Sequence, residues 1–516
     1  MLGRKLLLLD RPLPSPRINS LSPIHCPLAA VSLAVGVRGG CAADGAIWYN
    51  VRMKRLSLAV CVAAVAASTV VVAADVPRPF PSEVAVVQGE KSACGQDVRN
   101  FFLSGKCLLA KGAEAALRFH ADASGKGYEV LFRNGPVDGT RKTGSLSHVR
   151  NLYRSMAQDM EWFPFELRVR EKNVEVWIGS MPVVRYTEGE RPYRLPQYAK
   201  MLLSRGDFVF EGRAGLASFK DLVLVPLKDG VENPNDIFPY ADEATDPVIR
   251  LQQEDFPVVN WHVHAKGGWT PRQAYDKSLV DGINYGVSVN IYGKIVRKGD
   301  GGFGLMIETD DEALRYLDEM RGWPFLHGFQ GEGRKWTASF TERSLAACDF
   351  LFTDSMTVVD RNRQIRLYRP DEFTLNGRTA EEWMDFYVSQ IELILENEPA
   401  DIYANPMFLP PELEKDADAL WTDARIDRVL DKLVKHRIAL EINSRYRLPG
   451  LKVLRRAKAR GIKFAFGTNN VDANIGRLEW SLDAVRECGI AKEDMWFPPD
   501  SVRLSREGVI YNKIAE

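Results

Sequence analysis

Two histidines one residue apart, His262 and His264, end an apolar stretch that covers residues 258–263. Side chains two positions apart point to the same face of a β-strand, so both imidazoles can face one site. Two imidazoles on one face can together hold a divalent metal ion. The same pattern also fits a half-buried strand whose histidines are each hydrogen-bonded to a neighbour. The stretch therefore predicts a strand that ends at a site, and leaves the presence of a metal open.

Strand-like stretches alternate with helical patterns through the second half of the chain. The predicted strands cover residues 257–263, 283–290, 324–330, 349–354, 401–405, 438–443 and 462–467. The predicted helices cover residues 271–280, 310–321, 379–398, 422–435, 451–460 and 475–488. Regular alternation of this kind predicts a parallel sheet, most simply one closed into a TIM-like (β/α)7 barrel over residues 256–497.

Polar side chains recur at the carboxyl ends of these predicted strands. They are His262, His264, Asn290, Gln330, Glu332, Asp354, Asn405, Glu441, Asn443, Thr468, Asn469 and Asn470. In β/α barrels the functional site is built at this end, although polar turn residues are common enough that two or three would occur in any case. The series indicates a site at the mouth of the barrel.

Two interpretations of this mouth remain open. In the first, His262, His264, Glu332 and Glu441 hold a single divalent ion, such as zinc or manganese, that polarises a carbonyl or activates water. In the second, the mouth binds a sugar by stacking and hydrogen bonds. Its polar candidates are Asn405, Asn443, Arg445, Asn469 and Asn470. Its aromatic candidates are Trp261, Trp269, Tyr292, Trp336, Tyr403 and Tyr446, of which about half are expected in the core.

The first half of the chain is rich in short alternating stretches and poor in helix. The stretches cover residues 115–119, 128–132, 165–169, 174–178, 208–210 and 222–225, with turn residues between them. Alternation with one apolar face predicts an antiparallel β-sandwich over residues 94–227. An acidic, proline-punctuated stretch at 228–255 predicts a linker to the barrel, and residues 498–516 form a C-terminal tail.

Length and charge limit the classes of protein and partner. The chain has 516 residues, which predicts two or three domains, and it balances 68 Lys and Arg against 68 Asp and Glu. Without a basic field, nucleic acid is not an expected partner, and neither is an anionic membrane surface.

A targeting segment is expected near the start of the chain. Residues 53–74 combine a basic start, an apolar run and a small-residue ending, which is typical of a secretory signal peptide. A retained membrane anchor is the alternative. Residues 1–52 are interpreted as an upstream start assigned in error. The expected location is periplasmic or secreted, with no stable membrane span after cleavage. Export permits a local disulfide between Cys94 and Cys107, although two buried free thiols fit the sequence nearly as well.

An ordered series of segments in the first half resembles a known family. The segments are residues 127–130, 142–146, 162, 165–169, 174–178, 183–187 and 219–222. Together they resemble the 3-keto-disaccharide hydrolase domain, also called the 3-keto-α-glucoside-1,2-lyase/3-keto-2-hydroxy-glucal hydratase family. The resemblance implies a concanavalin-like jelly-roll fold and a small carbohydrate substrate.

The chemistry that this resemblance implies is elimination. A ketone at sugar C3 acidifies the C2 proton, so the site needs a base near neutral pKa and donors for the enolate oxygen. Within the loops of the matching region, residues 94–227, Glu129 and His148 are the candidate catalytic residues, and Arg133 and Lys142 the candidate sugar contacts.

The second half resembles the polymerase and histidinol phosphatase superfamily of metal-dependent hydrolases, which fold as distorted (β/α)7 barrels. The resemblance lies in the opening His262 and His264 and covers about residues 256–497. Later positions depart from the family pattern, with Asn290, Asn405 and residues 467–470 where histidine-bearing motifs are expected. The region has four histidines, His262, His264, His327 and His436, and a full trinuclear site cannot be assembled from this set.

Three functional hypotheses follow. The first is elimination or hydrolysis of 3-keto-glycosides by an exported two-domain protein. The second is a metal-dependent hydrolase or phosphoesterase in the barrel, with the sandwich as a sugar-binding module. The third is a carbohydrate-binding protein without catalytic activity.

Overall fold

The computed structural model describes residues 80–229, 243–265, 269–292, 307–334, 336–470 and 475–498. The predicted signal peptide, the segment before it, residues 230–242 of the predicted linker and nearly all of the predicted tail lie outside these residues.

Antiparallel strands build the first half of the described chain. They are β1 (Glu83–Val87), β2 (Lys91–Val98), β3 (Phe101–Leu109), β4 (Glu114–Ala121), β5 (Tyr128–Arg133), β6 (Phe163–Arg170), β7 (Asn173–Ile178), β8 (Met181–Thr187), β9 (Gly206–Ala214) and β10 (Leu216–Pro226). One sheet has the order β1-β10-β3-β6-β7-β8 and the other the order β2-β9-β4-β5. The predicted sandwich is confirmed, and its first two strands begin before residue 94.

Alternation along the strands creates the core between the two sheets. On β4, Ala115, Leu117 and Phe119 are fully buried in the sandwich core, whereas Arg118 between them is partly exposed on the other face. This period of two is the pattern expected when one face of each sheet packs against the other sheet. The outer face of each sheet therefore carries charged side chains, such as Arg118 on β4 and Arg168 on β6.

The disulfide prediction for Cys94 and Cys107 is wrong. Both thiols are free and buried in the sandwich core. Cys94 lies on β2 of one sheet and Cys107 on β3 of the other, so proximity in sequence does not place them in one local loop. Burial raises the pKa of both thiols, which is expected of inert core cysteines. Cys348 is also buried.

Seven parallel strands build a closed barrel in the second half. In order around the barrel they are β11 (Val259–Val263), β12 (Asn284–Tyr292), β13 (Leu326–Glu332), β14 (Phe350–Asp354), β17 (Ile402–Ala404), β18 (Ala439–Asn443) and β19 (Phe464–Gly467). Strand β19 pairs with β11 and closes the ring. A hairpin, β15 (Thr357–Asp360) and β16 (Arg363–Arg366), follows β14. All seven predicted strands are confirmed.

Helices alternate with the barrel strands, with α1 before the first strand and α10 after the last. They are α1 (Pro247–Gln253), α2 (Pro271–Asp281), α3 (Asp310–Met320), α4 (Glu342–Leu345), α5 (Ala380–Asn397), α6 (Pro411–Glu414), α7 (Ala417–Leu420), α8 (Asp423–His436), α9 (Leu451–Ala459) and α10 (Glu479–Cys488). Helices α2, α3 and α5 begin with capping boxes at Thr270, Thr309 and Thr379. In each box the threonine side chain accepts from the backbone N–H of the third helical residue, whose side chain accepts from the backbone N–H of the threonine. Within the described ranges, no helix combines the length and apolar character that a membrane span needs.

Apolar side chains fill the lower interior of the barrel. Val259, Trp261, Phe350, Ile402 and Ala465 pack there and are almost completely buried. A separate apolar layer lies between the strands and the helices. Because the lower interior is filled, polar side chains that point inward can gather only at the carboxyl ends of the strands.

Helix α1 ties the two halves together and replaces part of the predicted linker. The Gln252 side chain accepts a hydrogen bond from Asn151 N at 2.6 Å, and Gln253 Nε2 donates to His148 O at 2.7 Å. Arg154 also forms an ion pair with Asp349 across the junction. The sandwich and the barrel are thus joined by specific polar contacts.

Candidate functional site

A register shift in β11 determines where its histidines point. The pairing of β11 with β12 shifts between Asn260 and Val263, and the pairing with β19 shifts between Asn260 and His262. An irregularity of this kind re-aims a side chain within a strand. His262 contacts the ring of Phe352 at 4.7 Å between centroids, and the His262 and His264 rings lie 5.1 Å apart. Both histidines therefore meet at one place, as their spacing predicts.

The His262 ring is held from both sides. Its Nδ1 lies 2.7 Å from Glu441 Oε1, and its Nε2 lies 3.0 Å from Gln330 Oε1. The Gln330 amide in turn donates from Nε2 to Asp354 Oδ2 at 2.9 Å. All four side chains are buried. They form a polar chain across the barrel mouth from β18 through β11 and β13 to β14.

Three asparagine side chains adjoin this chain. Asn405 Oδ1 accepts hydrogen bonds from Asn443 Nδ2 at 3.0 Å and from Asn469 Nδ2 at 2.9 Å. Asn443 Nδ2 also donates to Glu441 Oε2 at 3.1 Å. The structure thus brings three predicted sugar contacts together. We call the combined set the mouth cluster: His262, His264, Gln330, Asp354, Asn405, Glu441, Asn443 and Asn469.

Two further predicted sugar contacts support the cluster from outside. The Asn470 amide pairs with the main chain of His264, accepting from its N at 2.8 Å and donating to its O at 2.9 Å. Arg445 Nη1 donates to Asn469 O at 2.8 Å. Asn470 therefore positions a histidine, and Arg445 positions the backbone that carries Asn469.

Left-handed backbone conformations concentrate at the mouth. Asn405 has φ 44°, Met407 has φ 61° and Asn469 has φ 40°. Asparagine adopts this region more readily than most residues, whereas methionine rarely does. Such conformations cost free energy and cluster at functional sites. Their occurrence beside the mouth cluster supports its interpretation as a site.

The predicted metal ligands do not converge as a set. Both ring nitrogens of His262 already face protein side chains, and Glu332 Oε1 accepts from Asn290 Nδ2 at 3.1 Å. Among the residues that the structure describes, no group of three or more His, Cys, Asp or Glu has an arrangement that could hold a metal ion. Binding of an ion by His262 would require one of its two hydrogen bonds to break. A metal at these residues stays a prediction.

The candidate base of the sandwich, Glu129, is held in ion pairs. Its carboxylate accepts from Ser147 Oγ at 2.9 Å, pairs with Arg213, and lies 3.4 Å from Arg118 Nε. Burial acts to raise its pKa, but the Arg213 and Arg118 guanidiniums outweigh burial and the pKa is lowered. A carboxylate stabilised in this way is a weak base at neutral pH.

His148, the second candidate, lies at the junction with the barrel. Its ring stacks on Tyr198 at 4.0 Å, and its Nδ1 lies 3.3 Å from Asp255 Oδ1. Burial, with a further contribution from Arg141, lowers the pKa of His148 to about 4. It is therefore neutral at pH 7 and far from the pKa near neutrality that suits a general base.

The two sugar contacts predicted in the sandwich are also paired within the protein. Arg133 Nη1 lies 3.3 Å from Glu114 Oε2, and Lys142 Nζ lies 2.7 Å from Asp138 Oδ1. The Lys142 side chain is only 1% exposed. Lys142 thus has a structural role in the loop after β5.

Replacement of Arg213 by glutamine is expected to destabilise the sandwich by about 1–3 kcal/mol, because a charged hydrogen bond to the buried Glu129 is lost. Urea unfolding measures this change. Arg133→Gln is the matched control, since its partner Glu114 is more exposed, and it should cost under about 0.5 kcal/mol. Equal losses for the two variants would contradict the assignment of Arg213 as the main partner of Glu129.

Two members of the mouth cluster, Gln330 and Asp354, were visible in the sequence only as polar strand ends without a role. Glu332, which was predicted as a metal ligand, lies two residues beyond Gln330 on β13.

Of the six aromatic candidates, Trp261, Trp336 and Tyr403 are buried in the core, whereas Trp269, Tyr292 and Tyr446 are partly exposed.

Comparison with known proteins gives low similarity. No family model matches the chain, so both family resemblances stay predictions, and no curated protein matches its sequence. A predicted glycosyl hydrolase from Parabacteroides distasonis aligns with 28% of this chain and 81% of its own, at 11% identity and a TM-score of 0.26. A second one from that organism aligns with 30% and 90%, at 13% identity and a TM-score of 0.24. The carbohydrate-binding module CBM66 from Bacillus subtilis aligns with 28% and 82%, at 11% identity and a TM-score of 0.18.

Proposed function

We propose that this chain is a carbohydrate-active enzyme that eliminates or hydrolyses 3-keto-glycosides at the barrel mouth. The observation that carries the proposal is the His262 ring fixed between Glu441 and Gln330, beside three asparagine amides. An imidazole–carboxylate pair can take and return a proton, and amides supply both donors and acceptors for hydroxyl and carbonyl oxygens.

The proposed reaction needs a proton acceptor and a proton donor in one place. The contact between His262 Nε2 and Gln330 opens, the C2–H bond breaks, its proton passes to Nε2 while Glu441 holds Nδ1, and the C–H electrons form an enolate on the C3 oxygen. When the carbonyl re-forms, the C1–O bond to the aglycone breaks, a C1–C2 double bond remains, and the departing oxygen takes the proton back from His262. In the hydrolytic variant, water then adds across that double bond.

The sandwich is proposed as the sugar-binding module of this enzyme. Glu129 is paired with Arg213, and the pKa of His148 is lowered to about 4, so neither suits proton removal from carbon at neutral pH. On the polar face beside Glu129, the partly exposed guanidiniums of Arg118 and Arg213 offer donors to sugar hydroxyls.

The test is release of aglycone from a 3-keto-glucoside by the protein, with and without a chelator, in wild type and in Glu441→Gln. Release by the wild type and a loss of at least about 100-fold in the variant are expected, as for removal of an essential acid–base group. Chelator sensitivity would support the predicted metal. Binding of the sugar without release would favour the hypothesis of a carbohydrate-binding protein, and absence of both would reject the proposal.

A further inference from the structure

The two polar atoms of the Asn405 side chain differ in their hydrogen bonding. Its Oδ1 accepts from the amides of Asn443 and Asn469. Its Nδ2 is buried and makes no hydrogen bond within the part of the chain that the structure describes. Buried polar atoms almost always have a partner, so a buried donor without one requires an explanation.

The orientation of the Asn405 amide follows from its neighbours. Asn443 Nδ2 donates to the carboxylate of Glu441, which in its ionised form only accepts, and Asn443 Oδ1 accepts from Tyr446 N at 3.0 Å. Asn443 therefore turns its Nδ2 towards Asn405, and Asn405 accepts the hydrogen bond with its Oδ1. A rotated amide would bring two donors face to face, so the Nδ2 group has to point away from the other amides.

The main chain of Asn405 is also fixed in position. Its main-chain N donates to Glu441 Oε2, and its φ of 44° is a conformation that asparagine tolerates. Glu441 is the carboxylate that contacts His262. The free donor is thus carried by a rigid residue that is bonded directly to the proposed acid–base pair.

We infer that Asn405 Nδ2 is the donor that binds the C3 carbonyl oxygen of the sugar and stabilises the enolate. The inference rests on the proposed function, and it makes Asn405 a catalytic residue of the same site. A donor that is positioned before the substrate arrives stabilises developing negative charge without reorganisation. It also favours a keto sugar over the parent alcohol, because the negative charge develops only on the ketone.

Two variants at Asn405 separate its donor from its structural bonds. Asn405→Asp keeps an oxygen for Asn443 and Asn469 and removes the amide donor. Asn405→Gly removes the side chain but suits the left-handed backbone and keeps the main-chain bond to Glu441. With methyl 3-keto-glucoside as substrate, we expect kcat to fall about 100-fold or more in both variants, as on loss of one oxyanion donor. KM should stay within about threefold, because the donor acts mainly in the transition state.

Stability and matched controls complete the experiment. Asn405→Asp buries a second carboxyl group beside Glu441, and Asn443→Asp does the same while also losing the two hydrogen bonds that its Nδ2 donates, so both should unfold earlier than the wild type and Asn443→Asp the earlier of the two. Asn397→Asp, an exposed change at the end of α5, should leave turnover unchanged.

The outcomes distinguish the two claims. Turnover by the wild type with kcat within threefold in both Asn405 variants would overturn the role of Asn405 and leave the proposed function intact. Calorimetry with methyl 3-keto-glucoside and methyl glucoside covers the remaining case. If the wild type does not turn over the first sugar, the proposed function is rejected and the inference with it, and calorimetry then shows whether the protein binds sugar without catalysis.

Discussion

Replacement of Glu441 by alanine is expected to destabilise the barrel by about 3–5 kcal/mol and to abolish turnover, because the buried partners of this carboxylate lose their acceptor. The Glu441 side chain is only 1% exposed. It accepts from Asn405 N and Asn443 Nδ2, and it lies 2.7 Å from His262 Nδ1. Alanine has no side-chain oxygen, so these three groups would lose their acceptor at a buried position.

The size of this effect can be checked by urea unfolding, with two related variants as controls. Glu441→Gln keeps one carbonyl oxygen and should cost less, about 1–3 kcal/mol, as for single charged hydrogen bonds. Gly467→Ala leaves every polar group in place, but its added Cβ would overlap Glu441 Oε1 and lie 2.8 Å from His262 Cβ. It should therefore reduce turnover by displacing the pair. A loss below about 1 kcal/mol for Glu441→Ala would show that the carboxylate is not the anchor of the mouth.

The elements of the barrel could be predicted because their signals are local. Strand β18 was expected at 438–443 and is found at Ala439–Asn443, and helix α8 was expected at 422–435 and is found at Asp423–His436. Each pattern reflects which side chains of one segment are apolar, and burial of those side chains selects the segment's conformation. Carboxyl ends of parallel strands also gather at one rim, so the location of the candidate site followed from the strand ends.

The partners within the site could not be predicted, because they depend on the relative heights of distant strands. Gln330 and Glu332 lie on the same face of β13, roughly 7 Å apart along the strand. The stagger of β13 against β11 decides that Gln330 meets His262, and its pairing with β12 decides that Glu332 meets Asn290. Sequence alone does not give this stagger.

The sandwich shows the same limit in its electrostatics. Glu129 was a plausible base when considered on its own strand. Its ion-pair partners Arg118 and Arg213 come from β4 and β9 on the same sheet. Strand order, which sets these neighbours, is not a local property. The lowered pKa of Glu129 therefore emerged only with the sheet topology.

The second large effect is a loss of stability between about pH 6.5 and pH 4, caused by three buried histidines. Burial lowers the pKa of His120 and of His148 from 6.5 to about 4, and that of His327 to about 3. At His120 the bond from Nε2 to Arg99 O at 2.8 Å acts to raise the pKa, but burial outweighs it, and Nδ1 accepts from Ser204 N at 3.2 Å. A proton on Nδ1 would oppose that second bond.

The direction of the effect follows from which state binds the proton. Below pH 6.5 the unfolded chain protonates these imidazoles while the folded chain does not, so stability is complete above pH 6.5 and falls towards pH 4. At about 1.4 kcal/mol for each pKa unit, the shift of His120 or His148 corresponds to about 3.5 kcal/mol and that of His327 to about 5 kcal/mol, the His327 contribution being lost only as the pH approaches 3. Carboxyl groups whose pKa is lowered in the folded protein, such as Glu129, lower the stability only as the pH falls below this window. Burial raises the pKa of Glu398, so the contribution of Glu398 changes with pH in the opposite direction.

Urea unfolding at pH 7.5 and pH 5.0 measures this loss, and His120→Gln tests its origin. Glutamine offers one donor and one acceptor but does not titrate in this range, so the variant should lose less stability on acidification than the wild type. The difference between wild type and variant isolates the contribution of a single imidazole. Equal free energies of unfolding for the wild type at the two pH values would contradict the assignment, because a buried neutral histidine cannot avoid this cost when the unfolded chain binds the proton freely.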